Sequence, residues 1–109
     1  VSWSDAKRDA EAIRPLKQDG KRVFLADFKD QAALDLFAPQ HRWGISYYRM
    51  VYQAALREHK RGGLKITKLM ISVEDYLAWL HGRKDTAELR QGFIEARLAS
   101  KPGIAGGAG

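Results

Sequence analysis

Arg49, Gln53, Arg57 and Lys60 follow one another at intervals of four, four and three residues, the spacing that stacks side chains on one face of a helix. An arginine fork donates two parallel hydrogen bonds, to a phosphate or carboxylate or to O6 and N7 of guanine, and a glutamine amide matches N6 and N7 of adenine. A lysine head is a point charge suited to phosphate. Such a set recognises a ligand; it neither makes nor breaks a covalent bond. The stripe lies in the stretch that carries the whole charge excess of the chain. Between His41 and Lys68 stand Arg42, Arg49, Arg57, Lys60, Arg61, Lys65 and Lys68 against the single acid Glu58, while each flank is balanced, so the net charge of +6 is local. A concentrated positive field in an otherwise neutral chain attracts a polyanion, because each phosphate neutralised releases condensed counterions. Nucleic acid is the first partner to consider.

Other chemistry finds less support. His41, His59 and His81 are the only imidazoles, and none has a second ligand-type residue at metal spacing. Cysteine is absent, which removes disulfides and thiolate zinc sites. Asp27, Asp30 and Asp35 are spaced for capping and surface charge, and Gly62-Gly63 follows a helix, so it reads as a C-cap and turn and not as a phosphate loop. No metal, cofactor or enzymatic activity is expected. No apolar run reaches the ~20 residues of a membrane helix, and the N-terminus lacks the basic-then-apolar layout of a signal peptide. The expectation is a soluble, cytoplasmic protein whose 109 residues build one modest core.

The elements that position the stripe can be read from periodicity and caps. Trp3, Ala6, Ala10 and Ile13 predict a helix over 3–14, with Ser2 or Ser4 as N-cap and Pro15 limiting its end. After the Asp19-Gly20 turn, Arg22-Val23-Phe24-Leu25-Ala26 is either a strand or a buried extended segment. Asp30 caps a short helix over 31–38, ended by Pro39. Ser46 is the expected N-cap of the long helix Tyr47–Arg61, whose apolar face is Tyr48, Val51, Tyr52, Ala55 and Leu56. Leu64-Lys65-Ile66-Thr67 and Lys68-Leu69-Met70-Ile71 are expected to fold as a small hairpin. Ser72-Val73-Glu74-Asp75 and Asp85-Thr86-Ala87-Glu88 each open a helix, the first running to about His81 and the second to about Ala99. The Gly-rich tail, 101–109, has too little to bury to offset its ordering entropy and is expected to be a disordered end or linker.

In this order, a short helix, a Gly44-Ile45-Ser46 turn, a basic helix ending in Arg61-Gly62-Gly63, a β-pair and Ile71-Ser72-Val73-Glu74-Asp75-Tyr76-Leu77-Ala78-Trp79-Leu80 resemble the winged helix-turn-helix of phage excisionases, MerR-like regulators and terminase small-subunit DNA-binding domains. The resemblance covers roughly 30–82. It departs from the family in the long spacing between Gly44 and Gly62 and in the added residues 3–28. The fold it implies is mostly α, a winged helix-turn-helix with a small β-hairpin wing and additional N- and C-terminal helices. The chain divides accordingly into an N-terminal helix and extended segment (1–28), the winged unit (29–82), a C-terminal helix (83–100) and the tail. The resemblance also implies that the basic helix enters the major groove, that the wing touches the backbone, and that dimers or arrays form on the DNA of a phage or mobile element, in excision, packaging or transcription regulation. In that geometry Arg49 and Gln53 are the base readers, each bidentate pair discriminating by ~1–3 kcal/mol. Arg57, Lys60 and Arg61 on the helix and Lys65 and Lys68 on the wing bond phosphates, and Arg42, Ser46 and Tyr47 at the turn fix the helix on the backbone.

The competing readings are plainer. A basic stripe is also what a solvated helix face looks like, although such faces usually mix signs. Tyr48 and Tyr52 fall on the apolar face and are expected in the core, which leaves only Tyr47 free for a surface role; Trp43 and Trp79 are expected core anchors. Leu89, Phe93, Ile94 and Leu98 spread over a wide arc of the last helix, so they either bind a partner or second copy or pack back on the Trp3 helix. In the alternative view the chain is a non-enzymatic adaptor whose basic patch meets an acidic protein or RNA.

Overall fold

A computed structural model describes residues 2–100; the expected tail lies outside them. Helix α1 (Trp3–Asp9) starts at Ser2, whose hydroxyl accepts from Asp5 N–H while the Asp5 carboxylate accepts from Ser2 N–H, and a 3-10 turn over Ala10–Ala12 extends it. Strand β1 (Lys17–Asp19) is followed by β2 (Arg22–Phe28), and Gly20, at φ +62, makes the tight turn between them. Helix α2 (Gln31–Phe37) takes its N-cap from Asp30. Helix α3 (Ile45–Arg61) ends at Gly62-Gly63, with Gly63 at φ +84, and β3 (Lys65–Ile71), α4 (Val73–Leu80) and α5 (Ala87–Ala99) follow. The result is a mostly helical α/β fold: five α-helices among the described residues around a small three-stranded mixed sheet ordered β1-β2-β3.

The expected hairpin over 64–71 does not form. Lys65–Ile71 is one continuous strand that pairs parallel with β2, from Arg22↔Lys65 to Phe28↔Ile71. No turn residue interrupts it, and the neighbour it finds is β2, assigned from sequence to the N-terminal segment ending at 28. A parallel pair needs a crossover, and α2 and α3 provide it.

Val23, Phe24, Leu25 and Ala26 are all buried because β2 is covered on both faces. Asp27, on the Val23/Leu25 face, feels Tyr48, Tyr52 and Arg49, so that face carries α3, with α1 beside it. Ala26, Phe28 and Ile71, on the other face, share a cavity of about 250 Å³ with Ile94 of α5. There Phe37, Tyr76 and Phe93 interlock with centroids 5.2 to 5.9 Å apart, and Trp79 packs on Phe93 at 5.7 Å. The last helix therefore packs on α4 and the sheet and not on the Trp3 helix.

One hydroxyl finishes the sheet. Leu16 N–H donates to the Phe24 carbonyl at 2.8 Å, and there the short β1 side ends. The next carbonyl of β2 facing that way is Ala26, two residues on. Tyr48 Oη donates to it at 2.7 Å, supplying the bond a longer β1 would have made. Tyr52, one turn further along α3, is equally buried, but its hydroxyl has no partner among the described residues. Tyr48→Phe should therefore cost about 1–2 kcal/mol by urea unfolding, whereas Tyr52→Phe should be neutral or stabilising.

Candidate nucleic-acid interface

The long helix is embedded on most of its circumference. Tyr48, Val51, Tyr52, Ala54, Ala55 and Leu56 are buried against the sheet and α1, whereas Arg49, Gln53, Arg57 and Lys60 form an exposed ridge. Its start differs from expectation. The helix begins at Ile45 with Gly44 in the cap position, so Ser46 lies inside the first turn and makes no cap. Gln31 of α2 acts instead: its Oε1 accepts from Ile45 N–H at 2.7 Å and its Nε2 donates to the Trp43 carbonyl at 3.2 Å. The cap is thus a contact between the two helices, which fixes where the ridge begins.

The ridge cations differ in freedom. Arg49 Nη2 donates to the Lys29 carbonyl at 2.9 Å, which holds its fork over the C-terminal end of β2. Arg57 stacks over Trp3 with its guanidinium carbon 4.9 Å from the ring centroid, so Trp3, 38% exposed, acts as a platform for a cation. Arg61 pairs with Glu58 at 3.0 Å, which cancels the one acid of the stretch. The exposed side chains of Gln53, Lys60, Lys65 and Lys68 make no hydrogen bond or ion pair among the described residues. Arg42 is exposed and left-handed, at φ 55, closing the 3-10 turn Pro39–His41 ahead of α3.

Tyr47 is not free. Its hydroxyl donates to Asp9, which pushes the phenol up to about 12, and its ring meets Trp43 edge-on at 5.4 Å, so it ties α3 to α1. Trp43 also stacks on His41 at 4.6 Å, and burial lowers the His41 pKa. The residues proposed for a partner surface are corrected too. Phe93, Ile94 and Leu98 are buried and Leu89 is half-buried, because the chain's own α4 and sheet cover that arc.

Asp27 was legible only as surface charge, yet it sits half-buried between α3 and β3. Burial raises its pKa, while Lys68 and Arg49 oppose the rise. The same carboxylate thus lies within electrostatic reach of the first residue of the ridge and of the exposed lysine of β3. An acid interrupting an apolar strand was the signal that marked it. No metal-ligating cluster occurs among the described residues, and no helix there is long and apolar enough to cross a membrane. No family model, curated protein or solved structure matches the chain.

With its pKa raised, folded Asp27 holds its proton above the usual 3.8, so its ionisation lowers stability as pH rises through that window. Carboxyl-carbon NMR should show its midpoint above 3.8 and moving higher still in Lys68→Ala, which removes an opposing cation. An unmoved midpoint would separate Asp27 from the basic surface.

Proposed function

We propose that this chain is a non-enzymatic duplex-DNA-binding protein that seats the ridge of α3 in the major groove. The observation that carries this is the ridge itself: on a helix whose opposite face is buried, Arg49, Gln53, Arg57 and Lys60 are left outward, and Glu58, the one acid of that helix, is paired. A helix of about 10–12 Å diameter fits the B-DNA major groove, about 12 Å wide. Because α3 is flanked by α1, only its long side chains reach the base edges. Arg49, pre-positioned by the Lys29 carbonyl, and Gln53 are the readers; Arg57, Lys60 and Arg61 meet phosphates further along.

In a winged-helix-like reading, the pair α2 and α3, joined by Gln31, would serve as the helix-turn-helix, and the single strand β3, with Lys65 and Lys68, would take the place of the wing. An excisionase-like, packaging or regulatory role, with copies side by side on DNA, is the context this reading suggests. Roughly five or six phosphate contacts would give a steep fall of affinity with salt.

The test is a fluorescence-anisotropy titration with labelled duplex DNA, single-stranded DNA and duplex RNA at two salt concentrations, followed by site selection. Tight, salt-sensitive duplex binding is expected. Arg49→Ala and Gln53→Ala should each relax preference at one base position by about 1–3 kcal/mol. Lys65→Ala should weaken every duplex alike and lower the salt slope by about 1. Equal, sequence-independent losses in all three would remove α3 from the groove, and absence of binding at low salt would turn the ridge into a protein-docking surface.

A further inference from the structure

We infer that the free edge of β3 is a docking site for an extended acidic peptide that adds a fourth strand to the sheet. The register fixes which backbone groups are available. Lys65 N–H donates to the Lys21 carbonyl at 2.8 Å and the Ile71 carbonyl accepts from Lys29 N–H at 3.0 Å. Residues 65, 67, 69 and 71 therefore direct their backbone groups towards β2, and Ile66, Lys68 and Met70 direct theirs away. Among the described residues the strand order β1-β2-β3 puts no strand on that side, and Lys68 and Met70 are exposed. Arg97 of α5 donates to the Met70 carbonyl at 3.3 Å, closing one end. The N–H groups of Ile66, Lys68 and Met70 and the carbonyls of Ile66 and Lys68 are left without a protein partner among the described residues.

Charge decides the occupant. Lysine on an edge strand normally deters pairing with like strands. Here it deters a second copy: an antiparallel β3 pair centred on Lys68 would set that lysine against itself, and like charges directly opposite destabilise a sheet. No acid lies on β3, and Lys65, Lys68 and Arg97 line the strand. What repels a copy of this chain attracts a carboxylate. Side chains of Ile66, Lys68 and Met70 share one face, so the matching guest places apolar, acidic and apolar residues at alternate positions. That pattern is the same read in either direction, so strand polarity does not alter it.

Peptide binding at this edge requires no DNA, and the test contains no nucleic acid. The probe is the synthetic peptide Ac-Thr-Val-Thr-Asp-Thr-Val-Thr-amide, with an otherwise identical peptide carrying Lys at the centre as control, titrated into the full chain by anisotropy and two-dimensional amide NMR. The Asp peptide should bind and slow hydrogen exchange at the Ile66, Lys68 and Met70 amides, with the Lys peptide at least about tenfold weaker. Lys68→Glu should reverse that order, and it leaves the core untouched because Lys68 is exposed. No Asp-peptide binding, protection elsewhere on the chain, or an unchanged order in Lys68→Glu would overturn the proposal. Concentration-dependent protection of the same amides without peptide would overturn it in favour of a second copy.

Discussion

The parallel pairing of β2 with β3 is the constraint from which the rest follows. Two parallel strands in one sheet cannot be joined by a turn; the chain must leave the end of one and return to the start of the other. In this protein the return path is α2, the 3-10 turn and α3. The long helix bearing the basic ridge is thus the crossover connection, pinned to the sheet it closes. Its buried tyrosines fill the space above β2, and its outer residues are what the crossover leaves to solvent. The narrowness of the ridge comes from this geometry: α1 closes one flank and the sheet closes the underside.

Polar contacts then set register within that frame. Gln31 caps α3 from α2, Arg49 holds the Lys29 carbonyl, and Tyr48 holds the Ala26 carbonyl. Each joins α3, or the turn just ahead of it, to the chain between Ala26 and Gln31, and each would be lost if α3 slid by one turn. Bonds of this kind contribute about 1 kcal/mol apiece, so their part in stability is modest. Their part in positioning is larger, since apolar packing alone tolerates displacement that a directed bond does not.

The sequence discloses local features well and pairing poorly. Helices α2, α4 and α5 are marked by Asp30, Ser72 and Thr86, whose side chains each accept from a backbone N–H three residues on. Such caps are legible because cause and effect lie within one turn. The Ser46 cap is a false signal: the bond that matters comes from Gln31, fourteen positions before Ile45, whose N–H it accepts from. β1 carries only Lys17, Gln18 and Asp19, so as a polar edge strand it has no alternation to betray it. The hairpin expectation for 64–71 fails for a related reason, because the choice between folding back and pairing with β2 is a contest between distant segments. The ridge of the candidate site was legible from spacing alone. Its coupling to β3 through Asp27 and its Trp3 platform were not, since both depend on which elements the fold sets side by side.

The crossover also explains why the basic surface and the open edge adjoin. A strand that ends a parallel pair must either receive another neighbour or stand at the rim, and β3 is followed at once by α4, which begins at Val73 and turns the chain onto the opposite face. The rim is therefore left beside the crossover helix, and any cation placed to protect it strengthens the field of that helix. Lys68 does both: it faces solvent on the edge strand and, through Asp27, belongs to the cluster that contains Arg49. A phosphate backbone and an acidic strand would compete for it. If both proposed ligands bind, the placement of this one lysine would make occupancy of the edge and occupancy of the ridge mutually unfavourable, without a conformational change in between.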